Sequence, residues 1–219
     1  MIHFENVSKS YGNGVMGTLQ NITLSISRGD FVILSGPSGA GKTSILKLIY
    51  HEESPSSGSI FYGDTDISKL RTDALAKYRR EIGVVFQDYR LISGQTVFEN
   101  IAYPLEINVK KNNQDTYKKV LRTLEIVGLQ NKVNNFPDEL SGGERARVAF
   151  ARALIIEPKI LIADEPLSHL DSDNQENIME ILDSLHDSGI TIIVASHNAE
   201  LTNRKDVKVI NIDRGKISK

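Results

Sequence analysis

The feature that most constrains this chain is a glycine-rich turn between an apolar run and a helical pattern. Residues 31–35 form a continuous apolar run of the kind found in buried parallel strands, and a helical pattern follows over residues 43–50. The turn between them, Gly36-Pro37-Ser38-Gly39-Ala40-Gly41-Lys42-Thr43, matches the pattern G-x-x-x-x-G-K-[ST]. A strand, a loop and a helix of this kind predict a parallel-sheet unit whose loop holds a phosphate.

The residue types in this loop suit phosphate chemistry. Glycines allow several backbone N–H groups to point at one spot, and the start of the following helix adds its positive dipole end. Lys42 supplies a mobile charge for the β- and γ-phosphates, and Thr43 supplies a hydroxyl for Mg²⁺. The plainer alternative is an ordinary glycine turn. The full pattern favours a nucleotide phosphate site formed by residues 36–43 together with Ser44.

A second apolar run, Ile160-Leu161-Ile162-Ala163-Asp164-Glu165, ends in two carboxylates. On its own, an Asp-Glu pair of this kind is most often a solvated acidic turn after a strand. Beside a phosphate loop it indicates more, because we expect a parallel strand next to the loop's strand to deliver its carboxyl end to the same crevice. Asp164 is then expected to hold Mg²⁺, directly or through water, and Glu165 to polarise an attacking water.

A third segment, Leu140-Ser141-Gly142-Gly143-Glu144, combines a helix start with two glycines. Ser141 and Glu144 have the S-x-x-E spacing of a capping box and predict a helix over residues 145–156. A capping box does not require glycines between its partners. We expect both glycines to leave the helix start bare for a phosphate, which predicts a site assembled from two surfaces.

Composition excludes several other function classes. The 26 basic and 28 acidic residues give a net charge of −2, which argues against a dedicated nucleic-acid binder. The absence of cysteine excludes disulfides and thiolate metal sites, and the five histidines show no zinc-ligand spacing. The apolar stretches are strand-sized, and the N-terminus lacks a signal-peptide layout. We expect a cytoplasmic protein that acts at a membrane only through another chain.

The rest of the pattern predicts an α/β fold with a doubly wound parallel sheet. The expected antiparallel strands are 2–7, 22–26 and 60–62, and the expected parallel ones are 31–35, 82–86, 159–163, 190–196 and 207–212. The predicted division of the single domain 1–219 is a core of residues 1–87 and 158–219 and a helical subdomain of residues 88–157. Within the helical part, Lys110, Lys111, Lys118 and Lys119 form either a basic contact patch or, more commonly, a solvated helix face.

In their order along the chain, these motifs resemble those of the ATP-binding subunits of ABC (ATP-binding cassette) systems, and the resemblance covers essentially the whole chain. Tyr11 matches the aromatic residue that stacks on adenine, and Gln87 matches the glutamine that touches Mg²⁺ and water. Asp171 belongs to a match of the D-loop, residues 168–171, and His197 matches the switch histidine that contacts the γ-phosphate. Residues 140–144 match the family's signature motif.

Each of these single matches has a plainer explanation. Tyr11 fits a core aromatic beside a hairpin, Gln87 a polar strand end, and His197 a satisfied histidine after a strand. The joint order of the motifs favours the functional interpretation. Departures from the common family pattern at residues 145–146, 167–169 and 198 concern the rate and the contacts between subunits rather than ATP binding.

The resemblance implies a P-loop NTPase (RecA-like) core with a small antiparallel β subdomain and a helical insertion subdomain. It implies an ATPase with ATP and Mg²⁺ as cofactors, working as a head-to-tail homodimer that clamps each ATP between the phosphate loop of one chain and the signature of the other. The residues implied for catalysis are Lys42, Gln87, Glu165 and His197, and those implied for Mg²⁺ are Thr43, Gln87 and Asp164. Those implied to contact the nucleotide are Tyr11, residues 36–44, Ser141, Gly142, Gly143, Glu144 and Asp171.

Within the family, residues 1–11, 86–92 and 96–100 look most like the bacterial cell-division ATPases, with lipoprotein-releasing and macrolide-efflux ATPases as the alternative. The implied partner is a polytopic membrane subunit that contacts the surface around residues 88–101 at the inner face of the cell membrane. No nucleic-acid partner is expected. A small-molecule kinase would not need the signature, a DNA-repair relative would carry a long coiled-coil insertion, and a pure binding module would not need all the reacting groups.

Overall fold

The computed structural model describes residues 1–12, 19–106 and 113–218. The chain divides into two compact units, the first made of residues 1–79 and 189–219 and the second of residues 80–188. The subdomain boundaries expected from the sequence differ from this division and stay a prediction. Of the lysines in the helical part, Lys110 and Lys111 lie outside the described residues.

The elements alternate between strand and helix along much of the chain. The strands are β1 (Ile2–Lys9), β2 (Leu19–Ile26), β3 (Phe31–Ser35), β4 (Ser57–Tyr62), β5 (Thr65–Asp66), β6 (Ile82–Val85), β7 (Ile160–Asp164), β8 (Thr191–Ala195), β9 (Lys208–Asp213) and β10 (Lys216–Ser218). The helices are α1 (Lys42–Ile49), α2 (Thr72–Arg79), α3 (Val97–Glu106), α4 (Asn113–Ile126), α5 (Gly142–Leu154), α6 (Ser172–Asp187) and α7 (Ala199–Thr202).

An antiparallel sheet in the order β2-β1-β4-β5 forms one layer of the first unit. Strand β1 is central, and its Ile2 lies opposite both Ile26 of β2 and Tyr62 of β4. The side chains of Ile2, Phe4 and Val7 are buried, which anchors one face of the sheet in the core. The three antiparallel strands expected from the sequence are therefore present.

The strand before the glycine-rich loop is the centre of the first unit's parallel strands. Strand β3 pairs in parallel with β8 on one side and with β9 on the other, and β10 extends β9 as an antiparallel hairpin. Because both edges of β3 are occupied, the strand that ends at Asp164 is not its direct neighbour. The expectation of adjacency was wrong, since an apolar run identifies a buried strand but not its place in the sheet.

The second unit combines a parallel strand pair with helices. Strands β6 and β7 pair in parallel, with Val85 opposite Ala163. Gly83 of β6 permits close packing on helix α5, because a Cβ there would lie 2.5 Å from the carbonyl oxygen of Ala153. Helix α4 buries Val120 and Leu124, which are four residues apart and therefore lie on one face of the helix. In the described part of the chain, no helix is long and apolar enough to cross a membrane.

Candidate nucleotide site

The glycine-rich loop of the first unit is shaped by backbone conformations that side chains disfavour. Gly36, Gly39 and Gly41 have φ values of +148°, +78° and +109°. A Cβ on Gly36 would overlap the backbone carbonyl oxygen of Ile212 in β9. Gly41 is the N-cap of α1, and no side chain caps this helix. The backbone N–H groups at its start are therefore not bonded by a capping side chain, as a phosphate cradle requires.

Lys42 lies inside this loop rather than on the surface. Its side chain is 7% exposed, and its Nζ donates to the carbonyl oxygens of Gly36 at 2.8 Å and Pro37 at 3.2 Å. The ammonium group thus bonds two backbone carbonyl oxygens of the loop itself. A phosphate is a stronger acceptor for this cation than a neutral carbonyl, because its oxygens carry full negative charge.

Tyr11 is anchored at its hydroxyl end while its ring is partly exposed, with the Lys9 ammonium 5.0 Å from the ring centroid. The side chain is 42% exposed, which excludes the core-aromatic explanation. Its hydroxyl donates to the carboxylate of Glu53 and lies 3.5 Å from Oγ of Ser44, in the first turn of α1. Burial and the Glu53 carboxylate raise the pKa of Tyr11. Burial works to raise the pKa of Glu53, but hydrogen bonds from Tyr11, Lys9 and Lys47 outweigh it and lower that pKa.

His197 lies two residues after the end of β8 and is exposed. The next residue, Asn198, is the N-cap of α7, where its Oδ1 accepts from the backbone N–H of Glu200 at 2.7 Å. Asparagine and aspartate cap helices about equally well. The departure from the family pattern at residue 198 therefore keeps the local structure around His197.

In the second unit, the two carboxylates at the end of β7 stand at a sharp change of chain direction. Asp164 is the last residue of the strand, and Glu165 has a left-handed φ of +47°. Such a conformation costs a residue with a Cβ roughly 1–2 kcal/mol. Ser168 holds the turn, because its N–H and its hydroxyl donate to the Glu165 carbonyl at 3.1 Å and 2.8 Å. Both carboxylates are half-buried.

Gln87 lies at the same edge of the strand pair as these carboxylates. It is exposed in the turn after β6, and β6 runs parallel to β7 with Val85 opposite Ala163. Parallel strands bring their carboxyl ends to one edge of a sheet. The parallel pairing therefore places Gln87, Asp164 and Glu165 at the same edge of the strand pair, and their joint role stays a prediction.

The predicted capping box is present at the start of α5. The N–H of Ser141 donates to the Glu144 carboxylate at 2.8 Å, and the N–H of Glu144 donates to Oγ of Ser141 at 3.2 Å. The Ser141 N–H and the ammonium of Lys132, 3.0 Å from the carboxylate, lower the pKa of Glu144. Gly142 has open space where a Cβ would stand, whereas Gly143 has none.

The comparison with known families decides the class of this protein. The sequence profile of the family described as ABC transporter matches residues 19–168. The chain belongs to this family. Its fold is the ABC ATPase cassette, and the ATP-binding and ATP-hydrolysing class expected from the sequence is confirmed.

Named ABC relatives match nearly the whole chain. The cell division ATP-binding protein FtsE of Bacillus subtilis is 42% identical over 215 residues, covering 98% of this chain and 93% of the relative. FtsE of Streptococcus pneumoniae is 40% identical over 217 residues, covering 99% and 94%. A dimeric structure of the ATP-binding cassette MJ0796 in a post-hydrolysis state with ADP and phosphate is 34% identical, with a TM-score of 0.91 and coverage of 100% and 97%.

Three residues that bear on the ABC motifs were missed by the sequence analysis: Glu53, which anchors Tyr11; Asn174, which lies against Gly143; and Arg152, which binds the backbone of residues 89 and 90. No spacing rule marks them, because each acts on a motif that is distant in sequence. Within the described ranges, no cluster of three or more histidine, aspartate or glutamate side chains has the arrangement of a metal site.

Proposed function

We propose that this chain is the ATP-hydrolysing subunit of a bacterial cell-division complex of the FtsE type, and that it drives a polytopic membrane protein of the FtsX type. The observation that carries the proposal is identity of about 40% to proteins named FtsE over almost the full length of both chains. The proposed location is the cytoplasmic face of the membrane, reached through the partner. An ATPase of the lipoprotein-release or macrolide-efflux type is the alternative.

We assign the phosphates of ATP to residues 36–44, with Lys42 on the β- and γ-phosphates. The uncapped start of α1 and the buried ammonium of Lys42 support this role. Tyr11 is assigned to stacking on adenine, which its exposed ring and fixed hydroxyl support. His197 is assigned to the γ-phosphate.

Glu165 is assigned as the group that polarises the attacking water. The left-handed backbone of Glu165 and the two hydrogen bonds from Ser168 to its carbonyl fix the position of its Cα–Cβ bond. Strain of this kind is found at functional sites, where the surrounding structure holds it in place. Gln87 is assigned to the same water and to Mg²⁺.

The donor atoms proposed for Mg²⁺ fit this ion. Thr43, Gln87 and Asp164 offer a hydroxyl, an amide oxygen and a carboxylate, which are oxygen donors of the type Mg²⁺ prefers. Bound Mg²⁺ would neutralise charge that develops on the phosphate oxygens. A site of this kind takes one or two carboxylates and completes its shell with phosphate and water, so a larger acidic cluster is not required.

A head-to-tail homodimer is the proposed working assembly. Residues 36–44 of one protomer and the signature of its partner would hold the same triphosphate, as in the implied family arrangement. ATP then favours the closed dimer because it contacts both surfaces only there. The dimeric form of the MJ0796 cassette, at 34% identity, supports this assembly.

Residues 88–101 form the surface proposed for the membrane partner. Hydrogen bonds from side chains of the second unit hold the backbone of this surface. Tyr89 and Arg90 both have left-handed φ values, +58° and +45°. Arg152 of α5 donates to the carbonyl oxygens of Tyr89 at 2.5 Å and Arg90 at 2.6 Å. The buried amide of Asn100 binds the backbone of Ile92 at 2.8 Å and 3.0 Å. A docking surface on these residues is preorganised, which lowers the entropic cost of binding.

The substitution Glu165→Gln tests the proposed chemistry. We expect the variant to bind ATP as the wild type does, because it keeps the cradle, to lose most turnover, and to accumulate an ATP-bound dimer. Release of phosphate and light scattering after gel filtration measure the two effects. Normal hydrolysis, or a monomer at high ATP and protein concentration, would contradict the proposal.

The partner is tested separately by co-purification from solubilised membranes. A polytopic protein of the FtsX type supports the cell-division assignment. A solute permease or a lipoprotein-releasing subunit overturns that assignment while leaving the ATPase class intact.

A further inference from the structure

The signature glycine Gly143 stands against a side chain from another helix. A Cβ on Gly143 would overlap Oδ1 and Cγ of Asn174 in α6 and would lie 2.6 Å from its Nδ2. At Gly142, the preceding residue, a Cβ would meet nothing within 4 Å. Glycine therefore serves a different purpose at each position. At residue 142 it leaves the start of α5 open, and at residue 143 it makes room for the Asn174 side chain.

The amide of Asn174 cannot move aside freely. Its Oδ1 accepts from Nη1 of Arg147 at 3.0 Å, and its Nδ2 donates to both carboxylate oxygens of Asp171 at 2.8 Å and 3.0 Å. Arg147 lies on α5, which begins at the signature, and Asp171 is the D-loop residue that caps α6. A continuous series of hydrogen bonds thus runs from the guanidinium through the amide to the carboxylate.

This series joins two motifs that the proposed function places at the nucleotide and at the other protomer. Hydrogen bonds to charged groups are stronger than neutral ones, and Asn174 makes such bonds on both sides. Because Gly143 has no side chain, the Asn174 amide packs directly against its Cα. This close contact limits movement of α5 relative to α6. A displacement of the signature helix would therefore displace Asp171 with it.

We propose that Asn174 is a positioning residue that locks the signature segment and the D-loop of one chain into a single unit, so that both meet the ATP and the partner protomer together. This inference rests on the proposed ATP-bound dimer. It assigns Asn174 no contact with the nucleotide. Its loss should weaken dimer closure and leave the affinity of the isolated phosphate loop unchanged.

The test uses the full chain carrying Glu165→Gln, in which ATP-bound dimers accumulate. Asn174→Ala is added, and the matched control is Asn177→Ala, an exposed asparagine of the same helix whose Nδ2 bonds only the backbone carbonyl of Asp173. We expect Asn174→Ala to raise the dissociation constant of the ATP-bound dimer about tenfold, as loss of charge-assisted hydrogen bonds predicts. The control should change it less than twofold, and both should bind ATP normally as dilute monomers.

A second pair of variants tests the contact itself. Gly143→Ala should disrupt closure because its methyl group displaces the Asn174 amide, and Gly143→Ala combined with Asn174→Ala should be no worse than Asn174→Ala alone. Such non-additivity indicates direct coupling between the two positions. Thermal unfolding identifies any variant that does not fold. If Gly143→Ala does not fold, the comparison of Asn174→Ala with Asn177→Ala decides the inference.

The outcomes separate the inference from the function on which it rests. If the Glu165→Gln parent stays monomeric with ATP, the proposed dimer fails and the inference fails with it. If the parent dimerises and Asn174→Ala dimerises equally well, the inference alone is overturned. Strictly additive effects of Gly143→Ala and Asn174→Ala would also overturn it, because Gly143 would then matter for ligand approach only.

Discussion

The phosphate loop before α1 and the signature before α5 both place glycines at a helix start, but they differ in what surrounds those glycines. In the phosphate loop, Gly36 lies against a backbone carbonyl of β9, and no side chain caps the helix. In the signature, Gly143 lies against the side-chain amide of Asn174, and a Ser141–Glu144 capping box bonds the backbone N–H groups of Ser141 and Glu144. The helix start at the phosphate loop is thus packed against backbone, and the one at the signature is packed against side chains.

This difference determines how each motif responds to substitution. A backbone carbonyl in a paired strand cannot withdraw without breaking the sheet, so the phosphate loop tolerates no compensation from a neighbour. A side chain can be replaced, so the cost of altering the signature depends on the residue packed against it. Two glycine patterns that look alike in sequence thus have different freedom to vary.

The largest expected effect concerns the charge in the backbone-packed phosphate loop. Lys42→Ala removes the ammonium that lies 7% exposed in the loop, and we expect ATP affinity to fall about 100-fold, from the loss of charge-assisted hydrogen bonds of about 2–3 kcal/mol. Titration with ATP measures it. Lys77→Ala, at an exposed position of α2, is the control and should bind normally. Undiminished affinity of Lys42→Ala would contradict the phosphate role.

The next effect concerns the rigidity of the same loop. Gly36→Ala should destabilise the fold by about 2 kcal/mol, since the methyl group overlaps the carbonyl of Ile212. Gly39→Ala has open space and only the strain of a φ of +78°, so about 1 kcal/mol is expected. Chemical denaturation compares the two. Rescue of Gly36→Ala by any side-chain substitution in β9 would remove the distinction between the backbone-packed phosphate loop and the side-chain-packed signature.

The capping box predicts a smaller effect at the signature. Ser141→Ala removes the hydroxyl that accepts from the N–H of Glu144, and a loss of about 1 kcal/mol in unfolding free energy is expected. Ser172→Ala, at the first residue of α6, is the control, because Asp171 rather than Ser172 caps that helix. Equal stability of the two variants would show that the capping box contributes nothing measurable.

The smallest effect is a pH dependence at the same helix start. The pKa of Glu144 is lowered in the folded protein by the N–H of Ser141 and by Lys132. A lowered carboxylate pKa stabilises the fold above the unfolded pKa, and this stability is lost as the pH falls through the folded pKa. Glu144→Gln should therefore be less stable than the wild type above about pH 5 and approach it in acid. The difference is a few tenths of a kcal/mol, because the ion pair is partly exposed; a pH-independent difference would contradict this origin.

Local motifs made much of this molecule predictable from the sequence. The strand, glycine loop and helix at residues 31–50 and the capping box at Ser141 depend on neighbours within a few positions, so their spacing carries the information. The carboxyl ends of β6 and β7 were likewise identified by apolar runs followed by polar residues. In each case the signal and the structure lie in the same short stretch.

Order and packing between distant segments were not available in the same way. The sequence by itself determined the phosphate loop, the acidic strand end and the helix start at the signature, because these follow from local backbone preferences. Only the tertiary structure decided that β8 and β9 occupy both edges of β3, and that Asn174 sets the need for glycine at residue 143. The physical reason is that these contacts join residues far apart in the chain, and no periodicity in a single sequence encodes which distant side chain fills a given space.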